Sequence, residues 1–173
     1  MMVPRIAGLE QVRHTGTMNV EHSTSGAYVT EGQPFDRDST YLPDRITRTG
    51  GVPVDQRAGI GRAGRTDAPL WPVEPGRYRL VAARACPWAH RSIIVHGLLG
   101  LSDVISLGLT GPTHDRRSWT FDLDPDGLDP VLGIERLQQA YFARDPEYPR
   151  GITVPAIVEI ATGKVVTNDF PWI

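Results

Sequence analysis

Cys86 is the only cysteine among 173 residues, and Pro87 follows it directly. An apolar run precedes it and a stretch with helical spacing follows. A thiol at that junction meets the unpaired N–H groups and the positive dipole end of a helix, which favour the thiolate. The thiolate is the nucleophile of thiol–disulfide exchange. The competing reading, a buried structural cysteine, needs no chemistry; the adjacent proline and the strand-to-helix edge favour the reactive one. Ala89 stands three residues on, so no second thiol can resolve a mixed disulfide. Single-thiol chemistry remains: Cys86 takes a group and an external thiol removes it. His14, His22, His90, His96 and His114 show no metal-ligand spacing, so no metal is expected. His90, about one helical turn after Cys86, faces solvent or pairs with the thiol. The acidic stretch Phe121–Pro130, with Asp122, Asp124, Asp126 and Asp129, resembles a calcium loop only loosely and is expected to be a solvated loop.

The elements that must position Cys86 follow from periodicity. Gly76–Ala85 reads as a strand becoming buried. Pro87 suits the first position of a helix, where its missing N–H costs nothing. Ala89, Ile93, Ile94, Leu98 and Leu101 recur at helical spacing, with Gly100 ending the helix. Asp103–Leu109 reads as a second strand. A long polar excursion leads to an amphipathic helix over Ile134–Arg144. The run from Ile152 to Asp169 closes the chain as a hairpin around Ala161–Lys164. Residues 1–75, rich in Gly, Pro, Thr, Arg and Asp, hold no sustained period and read as an irregular extension. Within them Gly59–Gly64 is nearly a dinucleotide fingerprint, but no apolar strand precedes it, so it reads as loop.

The formal charge of −2 offers no basic surplus for phosphates, which argues against nucleic acid. No apolar run long enough for a membrane span and no secretory signal is present, so a soluble cytoplasmic protein is expected.

At Cys86–Arg91, "CPWAHR", the chain resembles the xi-class glutathione transferases, the S-glutathionyl-hydroquinone reductases. Three further segments strengthen the resemblance. Gly111–Phe121 is similar to the family segment whose tryptophan, here Trp119, stacks on glutathione. Tyr148–Glu159 is similar to the run into the family's cis proline, here Pro155, with the Val154 backbone facing the bound thiol. Gly32–Thr47 is similar to the coil that wraps the family's domain. The resemblance implies an α/β fold: a thioredoxin-like domain over 76–173 after the extension, incomplete and lacking the family's C-terminal helical domain.

It also implies reductive deglutathionylation, with Cys86 as nucleophile. Glutathione would be the cosubstrate and a glutathionylated quinol the substrate. Trp119, Arg150, Val154, Pro155 and Asp169 are the implied thiol-binding residues. Family members dimerise, which this chain's own residues do not disclose. Two departures matter. Where the family has Asn-Glu-Ser this chain has Asn168, Asp169 and Phe170, and Arg150 stands one place early, with Gly151 in its position. Asp169 keeps a charge for an ammonium while Phe170 loses a hydroxyl, so another small thiol, such as mycothiol, is an alternative cosubstrate. The ending, Pro171–Ile173, reads as an out-of-register tail, and a truncated product is expected. A catalytically inactive thiol-binding fragment and a complete glutaredoxin-like monothiol reductase are the alternatives.

Overall fold

The computed structural model describes residues 41–48, 71–112, 114–115, 117–148 and 151–173. The Gly59–Gly64 motif and Arg150 lie outside the described residues. The strands are β1 (Ile46–Thr47), β2 (Trp71–Pro72), β3 (Tyr78–Ala82), β4 (Ile105–Leu109), β5 (His114–Asp115), β6 (Ser118–Trp119), β7 (Ala156–Glu159) and β8 (Val165–Thr167). The helices are α1 (Pro87–Leu98) and α2 (Gln138–Arg144). The central sheet runs β4-β3-β7-β8. β3 and β4 are parallel around α1, β7 runs antiparallel to β3, and β7 and β8 form a hairpin. This is the thioredoxin-like order that the sequence led us to expect.

β3 is buried along its whole length. Successive residues feed opposite faces, as a strand must. Val81, Val158 and Val165 join one cluster with Ala89 of α1 and Leu137, Ala140 and Tyr141 around α2. Leu80, Ile157 and Val166 join the other with Trp71 and Tyr78.

α1 begins where expected, with Ala89 buried and Ile93 packed against the core. Its buried residues are Ala89, Ser92 and His96. Ile94 and Leu98, which share the helical spacing of Ala89 and Ile93, are exposed. The inward polar residues find partners that make their burial tolerable. The His96 ring nitrogen Nε2 lies 2.7 Å from the Ile105 carbonyl, and Ser92 Oγ donates to the Ile173 carbonyl at 3.5 Å.

α2 starts four residues later than Ile134. The intervening backbone is engaged elsewhere. The Phe121 N–H donates to the Glu135 carbonyl at 3.0 Å, Thr120 bridges Arg136, and Gln139 Oε1 accepts the N–H groups of Glu135 and Arg136.

The excursion between β4 and α2 is not simply a solvated loop. Asp129 is fully buried. Its Oδ2 accepts from Arg79 Nε and Nη2, each at 2.8 Å. Its Oδ1 caps the N–H groups of Val131 and Leu132 at 3.0 and 2.8 Å. Arg79 sits in the middle of the sheet, so this fork ties the excursion to its centre. Gly108 makes room: a Cβ there would stand 2.7 Å from Arg79 Nε and 2.8 Å from Asp129 Oδ2.

Removing one partner of a buried ion pair strands the other, which typically costs about 3–5 kcal/mol. Asp129→Ala should lose about that much in urea unfolding, whereas the double substitution Arg79→Met with Asp129→Leu should regain most of it.

Candidate active site

Cys86 caps α1 in an extended conformation, with φ −94° and ψ 115°. Its N–H donates to the Ala83 carbonyl at 3.1 Å, and its own carbonyl accepts the His90 N–H at 2.9 Å. The side chain, half-buried, therefore stands where the chain leaves β3 and the first turn of α1 opens. Pro87 begins the helix without a donor to satisfy. Cys86 Sγ lies 3.6 Å from the Val154 carbonyl oxygen. The Val154–Pro155 peptide bond is cis.

A cavity of about 230 Å³ opens here, with Cys86, Thr153 and Val154 on one side. Trp119 and His114 form a second wall, their rings meeting edge to face at 4.9 Å. Trp119 is held by its backbone, whose carbonyl accepts the Leu137 N–H at 3.0 Å. Its neighbour Ser118 has φ 93°, a region that residues bearing a side chain rarely occupy. The buried Ser118 hydroxyl donates to the Ile152 carbonyl at 3.5 Å, which joins the second wall to the turn before Pro155.

Tyr41 and Trp88 complete the cavity, and Phe170 supports both rings. Phe170 stacks on Trp88 with centroids 4.8 Å apart and meets Tyr41 edge-on at 5.8 Å. Pro171 and Trp172 continue this contact region as a short 3-10 turn over Phe170–Trp172, and the Arg45 guanidinium lies 5.3 Å over the Trp172 ring.

Of the residues that the sequence nominated, Cys86, Trp119 and Val154 line one cavity, and Pro155, the next residue in the chain, is not among its lining residues. Asp169 is not among the lining residues. Its Oδ2 accepts from Arg45 Nη2 at 2.6 Å. Tyr41, Ser118, Ile152 and Thr153 were not singled out beforehand. They come from segments whose similarity to the family had been noticed, but neither their types nor their spacing marks them. His114 had been weighed only as a metal ligand. Among the described residues no group of three or more His, Cys, Asp or Glu could hold a metal.

No family model matches the chain. A glutathione transferase from Gordonia bronchialis DSM 43247 is similar in structure, with a TM-score of 0.64 and 63% identity over 76% of this chain and 36% of that one. The glutathione-bound structure of YqjG from Escherichia coli K-12 gives a TM-score of 0.54 and 34% identity over 60% of this chain and 34% of its own. The glutathionyl-hydroquinone reductase PcpF of Sphingobium chlorophenolicum is 37% identical over 100 residues, 56% of this chain and 31% of PcpF. The thioredoxin-like part of this chain is similar to that of the xi-class glutathione transferases. The chain spans about a third of the length of the curated relatives it matches. Among the described residues no helix is long and apolar enough to cross a membrane.

Within this site, one amide ties the segments together. Asn168 is buried; its Oδ1 accepts the Leu42 N–H at 2.8 Å and its Nδ2 donates to Thr153 Oγ1 at 2.9 Å. Buried groups left without partners cost about 1–3 kcal/mol. Asn168→Ala should lower the unfolding free energy by about that amount, measured by urea denaturation.

Proposed function

We propose that the chain carries the thiol-binding half of a glutathione-dependent reductase of the glutathionyl-hydroquinone type, working through Cys86 alone. The observation that carries this reading is the placement of the one cysteine at the start of α1. Its sulfur is 3.6 Å from the Val154 carbonyl, in a cavity walled by Trp119. The names of PcpF and YqjG as glutathionyl-hydroquinone reductases supply the reaction class.

In this reading the Cys86 thiolate attacks the glutathionyl sulfur of the substrate. The bond between that sulfur and the ring carbon breaks, the carbon takes a proton, and the free hydroquinone leaves. Cys86 is left in a mixed disulfide with glutathione. A second glutathione thiolate attacks the glutathionyl sulfur of that disulfide, and glutathione disulfide departs with Cys86 restored. The helix start serves both steps, because Cys86 acts first as nucleophile and then as leaving group. Trp119 offers a flat face to the bound thiol, and the Val154 peptide offers hydrogen bonds to it. A reducing compartment such as the cytoplasm supplies the second thiol.

One observation favours a different cosubstrate. Asp169, which would meet the ammonium of glutathione, is already paired with Arg45. A thiol with no ammonium at that end, such as mycothiol, would not have to compete with Arg45.

Intact mass after incubation with glutathione disulfide tests the reading. The wild-type chain should gain one glutathionyl group, excess reduced glutathione should remove it, and Cys86→Ser should gain none. Faster labelling by mycothiol disulfide would identify mycothiol as the thiol. No adduct with either would leave the chain as a catalytically inactive thiol-binding fragment.

A further inference from the structure

Tyr141 lies in α2, fully buried in the core, with its ring tilted against Tyr148 at 4.9 Å. A phenylalanine would fill the same space. A buried hydroxyl must instead find partners to offset its lost hydration. Tyr141 finds both on one residue. Its hydroxyl donates to the Thr153 carbonyl at 2.9 Å and accepts the Thr153 N–H at 3.3 Å. A phenol has one proton and an acceptor oxygen, so this pairing uses it as donor and acceptor at once. Burial pushes the hydroxyl's pKa well above the usual phenol range, which keeps that proton in place.

Thr153 is the residue before Val154, and both line the cavity. Thr153 cannot obtain these two hydrogen bonds from the sheet, because β7 begins only at Ala156. The Thr153 side chain is held as well, by Asn168. With these groups tied back, the next peptide carbonyl is the one aimed at Cys86 Sγ. Tyr141 itself does not line the cavity.

We propose that Tyr141 is a positioning residue: its hydroxyl clamps both main-chain groups of Thr153 and so holds the Val154 peptide in register with Cys86 for the incoming thiol. The inference rests on the thiol chemistry proposed above, and it assigns a role to a core residue outside the cavity.

The test compares wild type with Tyr141→Phe, which keeps the ring, and with Val165→Ala, which weakens the same core without lining the cavity. Three rates are read: amide hydrogen exchange over 151–156, glutathionylation of Cys86 against glutathione disulfide concentration, and alkylation by iodoacetamide at one pH. Iodoacetamide is small and needs no backbone contact. Tyr141→Phe should speed exchange in that segment by about 10-fold or more and raise the half-saturating disulfide concentration by about 10-fold, as loss of a buried pair of hydrogen bonds implies. Alkylation should stay within about twofold of wild type, since it bypasses the Val154 peptide. Val165→Ala should leave the half-saturating concentration unchanged. Unchanged exchange over 151–156, an unchanged half-saturating concentration, or an equal rise in Val165→Ala would each overturn the proposal. If wild-type Cys86 alkylates but takes no glutathionyl group, the proposed function fails. The exchange comparison then decides the clamp by itself.

Discussion

The segment before Pro155 must be buried, must face Cys86, and does not belong to the sheet. Those three requirements constrain much of the structure around the site. Strands satisfy their peptide groups through neighbouring strands, but Ile152, Thr153 and Val154 precede β7 and have to find other partners. Tyr141 serves the Thr153 main chain from α2, Asn168 serves its side chain from the end of β8, and Ser118 serves the Ile152 carbonyl from the excursion. Each donor belongs to a different segment, so satisfying one short turn draws α2, β8 and the excursion toward the thiol. Asn168 carries the chain of contacts further. By accepting the Leu42 N–H it also helps to seat the neighbouring Tyr41 at the cavity.

Charge holds the periphery of this arrangement. Asp44 accepts from Trp71 Nε1 at 2.9 Å and from Arg144 Nη2 at 2.8 Å. Arg144 also donates to the Val165 and Val166 carbonyls, at 3.0 and 2.6 Å, so the 41–48 segment is anchored to α2 and β8 together. Arg79 and Asp129 do the same for the excursion from beneath. An ion pair as deeply buried as this last one pays a large desolvation penalty and is weak evidence for stability by itself. Its physical use here is directional. A fork of two hydrogen bonds fixes where the turn after Asp129 lies, and that turn leads to the strand contacts that hold Trp119.

The sequence disclosed the elements better than their orientation. The Cys-Pro junction, the strand–helix–strand succession of β3, α1 and β4 and the closing hairpin were legible because periodicity and turn residues act locally. The full inward face of α1 was not. Ile94 and Leu98 share the helical spacing of Ala89 and Ile93, but His96 and Ser92 face inward because the Ile105 and Ile173 carbonyls receive them, and those partners lie outside the helix. Asp129 was misread for the same reason: four acids in ten residues look solvated until a buried arginine fifty positions away accounts for one. At the site, residue types marked Cys86, while Trp119 and Val154 were legible through family resemblance. Tyr41, Ser118 and Thr153 are common residues whose role is created by packing alone.

The charges also separate in an informative way. Among the described residues that line the cavity, none is Asp, Glu, Lys or Arg. The nearest nominated acid, Asp169, is neutralised by Arg45. Peptide groups flank Cys86, with the open N–H groups at the start of α1 on one side and the Val154 carbonyl on the other. Oriented backbone dipoles keep their direction without titrating and need no counter-ion. In the reaction proposed for Cys86, which attacks one sulfur and then leaves another, surroundings that do not change between the two steps are an advantage. On this view the precision of the site lies in how rigidly two backbone segments are held apart, which returns the problem to the side chains behind them.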